Sequence, residues 1–179
     1  PDRAHLTGIS RIQELGLDFG PSLPVRLVVE GDLHLAFREV FLHRTKQLPP
    51  TDEKGVVPAA AYIAFCRTAR VIDAIKVGDW LLHHGHMTAE DVTALALATP
   101  WRAGAGEALW VLPHLDAGAR SLPESETRAV LGFAGLPEPK VNRRLVLAED
   151  LTLLGDLVYE EWRVTVEYEG AHHQEEREQ

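Results

Sequence analysis

The sequence predicts an α/β chain in two parts: an α+β unit over residues 1–118, a small antiparallel sheet plus helices, followed by a partial α/β core over residues 119–179. Three observations carry this. Apolar and polar residues alternate through RLVVEGDLHL and REVFLHR, the period of a half-buried strand. Apolar residues then recur at helical spacing from Pro58 to about Ala117. After one more helix, alternation returns in VNRRLVLAEDLTLLGDLVYEEWRVTVEYEG.

Taken in order, residues 4–16 form an amphipathic helix with Leu6, Ile9, Ile12 and Leu15 on one side and Gly16 as its stop. Gly20, Pro21 and Pro24 mark a loop, and Glu30-Gly31-Asp32 reads as the turn between two antiparallel strands. Pro49-Pro50 ends that sheet, and a short strand near Gly55 to Val57 adds to it. Pro58 opens a helical run to Gly85 in two pieces. Thr88 and Asp91 have capping-box spacing for a helix to about Ala98. A loop through Gly104 and Gly106 precedes a helix from Glu107 to Ala117. The last helix starts near Pro123 and stops at Gly135, and three strands follow, with turns at Ala148-Glu149-Asp150 and Glu160-Glu161.

Composition narrows the function. The chain has 179 residues and a net charge of −9, of which −6 falls in residues 120–179, so a simple DNA-coating role is disfavoured. No apolar run reaches the roughly 18–20 residues of a membrane span. A single Cys, Cys66, leaves no internal disulfide and points to a reducing cytoplasm. The chain opens at Pro1 and closes in the charged run HHQEEREQ, and so reads as a piece of a longer protein.

The chemistry-bearing stretch is Leu154–His173. Glu167 and Glu169 are spaced to share one strand face, and a hairpin brings Asp156 beside them. Glu124 joins them from the preceding helix. Converging carboxylates are costly without a cation, and Mg²⁺ or Mn²⁺ takes such oxygen ligands. The alternative is the solvated face of an acidic sheet. His172 and His173 follow directly, as phosphate or metal-water contacts or as an ordinary polar turn. His83, His84 and His86 around Gly85 read as a helix C-terminus, since adjacent helical residues point apart. Arg38, His43, Arg44 and Lys46 form a basic stripe that either touches a phosphate backbone or faces solvent.

SLPESETR, GLPEP, GDLVY and VEYEGAHH together resemble the PD-(D/E)XK nuclease superfamily, in the restriction-endonuclease-like form related to very-short-patch repair endonucleases. The resemblance implies a helix bearing Glu124, Ser125 and Arg128, a strand bearing the metal-binding Asp156, and a next strand bearing Glu167 and Glu169, then Gly170 and His173. It implies Mg²⁺- or Mn²⁺-dependent cleavage of DNA, with Asp156 and Glu167 as metal ligands, Glu124, Glu169 and His173 completing the catalytic set, and Arg128, Arg44 and Lys46 on the nucleic acid. Glu169 stands where the pattern usually has Lys. VVPAAAYIAFCRTARVIDAIKVGDWLLHHGHMTAEDV resembles the middle region of abortive-infection-type antitoxin regulators, common in actinobacteria. That implies an alternative function: a non-catalytic DNA-binding regulator with a degenerate nuclease fold. The nuclease pattern continues with a further helix and strand, so a partner chain or a second copy is expected to cover the sheet.

Overall fold

The computed structural model describes residues 4–33, 36–148 and 151–168, and the side chains of 147, 148 and 151 are left aside. The architecture is mixed α/β, with six α-helices and two three-stranded sheets among the described residues.

Strand β1 (Ala4–Leu6) leads into helix α1 (Gly8–Glu14), so the predicted 4–16 helix gives up its first turn to a strand. β1 pairs antiparallel with β2 (Val25–Glu30), and β2 pairs with β3 (Val40–Thr45) in parallel. The small sheet is therefore mixed, in the order β1-β2-β3, rather than antiparallel. Gly31, at φ 91, turns the chain out of β2, and its N–H bonds the Thr45 carbonyl at 2.9 Å. The chain then runs back and re-enters beside Val25, whose N–H meets the Glu39 carbonyl at 2.8 Å. The segment near Gly55 makes only isolated bridges, to Leu6 and between Thr51 and Val56. Arg11 fixes it. That buried guanidinium donates to the Val56 carbonyl at 3.1 Å and to Asp52 at 2.6 Å.

The helical run falls into two pieces as expected, α2 (Pro58–Cys66) and α3 (Val71–His83). Pro58 starts α2, where its missing N–H costs nothing. His84 caps α3, its Nδ1 against the Trp80 carbonyl at 2.9 Å, and Gly85 turns the chain at φ 66. His83 Nδ1 meets the Ala117 carbonyl at 2.9 Å, so the histidine cluster is engaged in ending a helix. α4 (Ala89–Ala98) has the full Thr88–Asp91 capping box. α5 (Ala105–Val111) starts earlier and ends sooner than its pattern suggests, because Pro113 turns the chain into a 3₁₀ segment, Leu112–His114. α6 (Leu122–Phe133) begins at Ser121 and ends before Gly135, at φ 86.

The main core lies between α1, α2, α3, α4 and α5, around Ile12, Tyr62, Ile63, Ile75, Leu81 and Val92. Cys66 belongs to it, and burial pushes its thiol up to about 12, which leaves it unreactive at neutral pH. α6 packs on α3, and Ala129 and Leu122 extend the same core, so packing continues across the boundary expected at residue 118. β4 (Lys140–Ala148), β5 (Leu151–Tyr159) and β6 (Val164–Val166) are the three expected strands, entirely antiparallel, but β6 stops before Glu167, which was expected on it. Among the described residues no helix is long and apolar enough to cross a membrane.

Candidate functional site

Local structure around Asp156 begins at the helix N-terminus. Ser121 has the extended backbone of an N-cap (φ −136°, ψ 155°), and its Oγ accepts the Glu124 N–H at 3.3 Å. In return Ser121 Oγ–H donates to Glu124 Oε1 at 2.8 Å. The Arg120 N–H and Asn142 Nδ2 both donate to Oε2, at 3.1 and 2.8 Å. Glu124 is buried, so these donors replace its lost hydration. Its oxygens are occupied by cap and strand. Glu124 is thus built as a positioning group rather than an open ligand.

Asn142 ties this cap to the sheet, since Nδ2 also bonds the Gly118 carbonyl at 2.8 Å. Its backbone is left-handed at φ 49, a conformation Asn tolerates better than most residues. The β4–β5 register pairs Val141 with Leu157 and Arg143 with Gly155, so Asn142 stands across from Asp156. The β5–β6 register pairs Leu157 with Val166 and Val158 with Thr165. One step further along that register sets Asp156 across from Glu167. Asp156 and Glu167 are thus brought side by side where β6 ends, and Asn142, from β4, carries the bond to Glu124.

Asp156 Oδ2 accepts the Tyr168 N–H at 3.0 Å, which fixes the carboxylate toward the end of β6. Glu167, although largely exposed, has its pKa raised by partial loss of hydration and then by the negative charge of Asp156. The Asp156 N–H opposes this, while a carboxyl–carboxyl hydrogen bond to Asp156 and the more distant Glu124 charge add to it. The two carboxyl groups are within hydrogen-bonding reach of each other, and neither has a Lys or Arg partner among the described residues. Gly155 allows the approach: a Cβ there would lie 2.6 Å from Val158 Cγ2, 3.1 Å from Thr165 Cγ2 and 3.6 Å from Glu167 Oε1.

This arrangement fixes a pH dependence. A carboxyl whose folded pKa exceeds its unfolded value binds protons more tightly when folded, so its contribution to stability falls as pH rises through both values. The unfolded value is about 4.3. Glu167→Gln removes the term. Its thermal midpoint is expected to overtake that of the native chain as pH rises from about 4 to 7, measured by parallel melts; a constant offset across that range would contradict the pairing.

The remaining sequence-predicted residues fall elsewhere. Glu169 and His173 lie outside the described residues, as does His172. Arg128, expected on nucleic acid, points inward: it is 5% exposed, donating to Asp79 Oδ2 at 2.8 Å and to the His114 carbonyl at 2.7 Å. A phosphate contact would require breaking that buried pair. Arg44 pairs with Asp32 at 3.2 Å on the surface of the N-terminal sheet, and Lys46 is exposed just beyond β3. Sequence reasoning overlooked Asn142, Ser121 and Gly155. Ser121 and Glu124 do have capping-box spacing, the one local signal that identifies Glu124 as a cap.

Among the described residues no group of three or more His, Cys, Asp or Glu is close enough to hold a metal. The donor set nonetheless fits a hard cation bound by two carboxylates and water, the usual manner of Mg²⁺. No protein-family model, no curated protein and no solved structure matches the chain.

Proposed function

We propose that the α6–β4–β5–β6 unit carries a Mg²⁺- or Mn²⁺-dependent nuclease site acting on DNA, with Asp156 and Glu167 as the metal ligands. The observation that carries this is the pair itself: a carboxyl on β5 and one just past the end of β6, within hydrogen-bond reach, with no cationic side chain between them among the described residues. The order of helix Glu, strand Asp and a Glu just after the next strand supports the PD-(D/E)XK resemblance. A bound divalent cation supplies Lewis acidity toward a phosphodiester oxygen and acidifies water. The chain's residues do the positioning. The Tyr168 N–H orients Asp156, Asn142 and Ser121 hold Glu124, and Glu124 fixes the start of α6 relative to the sheet. Glu167 must lose its proton to bind a cation, so activity rises with pH through its raised pKa.

One observation favours a second reading. The Glu124 carboxylate is saturated by three donors, which suits a DNA-binding regulator that keeps the layout without cleaving. Plasmid nicking with Mg²⁺ or Mn²⁺ separates the two. The nuclease reading expects cleavage that falls about 100-fold or more in Asp156→Ala. Operator-type DNA binding that is unchanged in Asp156→Ala, without cleavage by the native chain, would overturn it in favour of the regulator.

A further inference from the structure

On the N-terminal half, a histidine and two arginines come from three separate elements. His43 is on β3, Arg67 follows the last residue of α2, and Arg102 lies in the turn between α4 and α5. Two contacts draw these elements together. Arg102 Nη2 donates to the Gln47 carbonyl, just beyond β3, at 3.3 Å. The same turn lies on the end of α2 at Gly104, where a Cβ would stand 1.9 Å from the Ile63 carbonyl oxygen and 3.2 Å from the Arg67 backbone nitrogen. His43 senses the result. His43 is exposed on β3, and partial loss of hydration first, then the charges of Arg67 and Arg102, lower its pKa.

Among the described residues none of the three side chains is joined to a carboxylate. Arg11, Arg70, Arg128 and Arg143 all have carboxylate partners. Among the described residues Arg67 has no hydrogen bond or ion pair from its side chain, and Arg102 bonds only neutral acceptors, Thr99 Oγ1 at 3.4 Å and the Gln47 carbonyl. Arg102 is also half-buried, and burial lowers its pKa. Like charges held together and partly desolvated are unfavourable until an anion joins them. Beside them Trp101 is 59% exposed, with the Arg102 guanidinium 4.8 Å from its ring centre.

We propose that His43, Arg67 and Arg102 form a phosphoryl-binding site, with Trp101 as an adjacent stacking surface, for the phosphate of a nucleotide or of a nucleic-acid strand. Arg supplies planar donors matched to phosphate oxygens, and an exposed indole stacks any base. The site is independent of the Asp156–Glu167 reading and is tested with metal removed by EDTA. The probe is a fluorescein-labelled oligothymidine of roughly 20 nucleotides, followed by polarisation against the full chain at low and moderate salt. Arg67 is exposed and bonds nothing through its side chain, so Arg67→Gln leaves folding intact. It is expected to weaken binding about five-fold and to flatten the salt dependence by about one ion. Arg67→Lys restores most of the loss. Arg70→Gln makes the same charge change at a guanidinium already paired with Asp73 and stays within about two-fold. Displacement of the probe by millimolar inorganic phosphate assigns the site to a small phosphorylated ligand; resistance to it assigns the site to a strand. Absence of binding to both oligonucleotide and inorganic phosphate, or equal losses in Arg67→Gln and Arg70→Gln, would overturn the proposal.

Discussion

Replacing Arg128 with Ala is expected to cost about 3–5 kcal/mol of stability, seen as a lower urea midpoint at unchanged slope. Arg128 and Asp79 are 5% and 0% exposed, joined at 2.8 Å, and link α6 to α3. Asp79 also accepts the Asp116 N–H at 2.7 Å, and Arg128 donates to the His114 carbonyl, so the pair joins three segments. Burial raises the Asp79 pKa even with Arg128 opposing it. Without Arg128 the carboxylate is left charged in a site with no cation, and protonation is its relief. A raised folded pKa means stability lost as pH rises through the unfolded and folded values. The deficit of Arg128→Ala should therefore shrink as pH falls toward 4. Asp79→Asn combined with Arg128→Met keeps an acceptor for Asp116 and removes both charges. It should recover more than half the loss, because the two changes share one interaction. The buried Nε of Arg128 has no partner, a further reason an apolar replacement fares well once the carboxylate is gone. A double variant as unstable as Arg128→Ala would contradict this account.

Gly104→Ala is expected to lose about 3 kcal/mol or more, from two separate causes. Gly104 is the N-cap of α5 at φ 99, a backbone that strains any L side chain. Its Cβ would also lie 1.9 Å from the Ile63 carbonyl oxygen, which belongs to α2 and cannot rotate aside. Relief requires moving α5 away from α2. In a chain of this size the thermal midpoint should drop by roughly 6–12 °C. Gly106→Ala is the control: nothing lies within 4 Å of its Cβ, and its midpoint should hold or rise slightly. Equal effects at the two glycines would rule out the steric explanation.

These two sites show where sequence reading ends. The start of α2 and the break between α3 and α4 are legible because Pro58, Gly85 and the Thr88–Asp91 box act within one turn of themselves. The β4–β5–β6 meander is legible for the same reason, as alternation broken by short turns. The parallel pairing of β2 with β3 is not. Period 2 says which residues face inward but nothing of strand direction, and nine residues between Glu30 and Val40 suffice either for a loop or for a return path. β1, at three residues, is too short to show any period. At the site, the chain order of Glu124, Asp156 and Glu167 is visible, whereas their division of labour is not. Asn142 enters only through its place across from Asp156, and Arg128 is claimed by an aspartate 49 residues away.

Asp156 and Glu167 are proposed as the ligands of a divalent cation, and Mn²⁺ titration of the full chain tests this most directly. Calorimetry at two pH values reads affinity, and electron paramagnetic resonance reads the bound ion. The account predicts one Mn²⁺ per chain, tighter at the higher pH as Glu167 gives up its proton, and lost in both Asp156→Ala and Glu167→Gln. Binding that is pH-independent, or that survives Asp156→Ala, would contradict it.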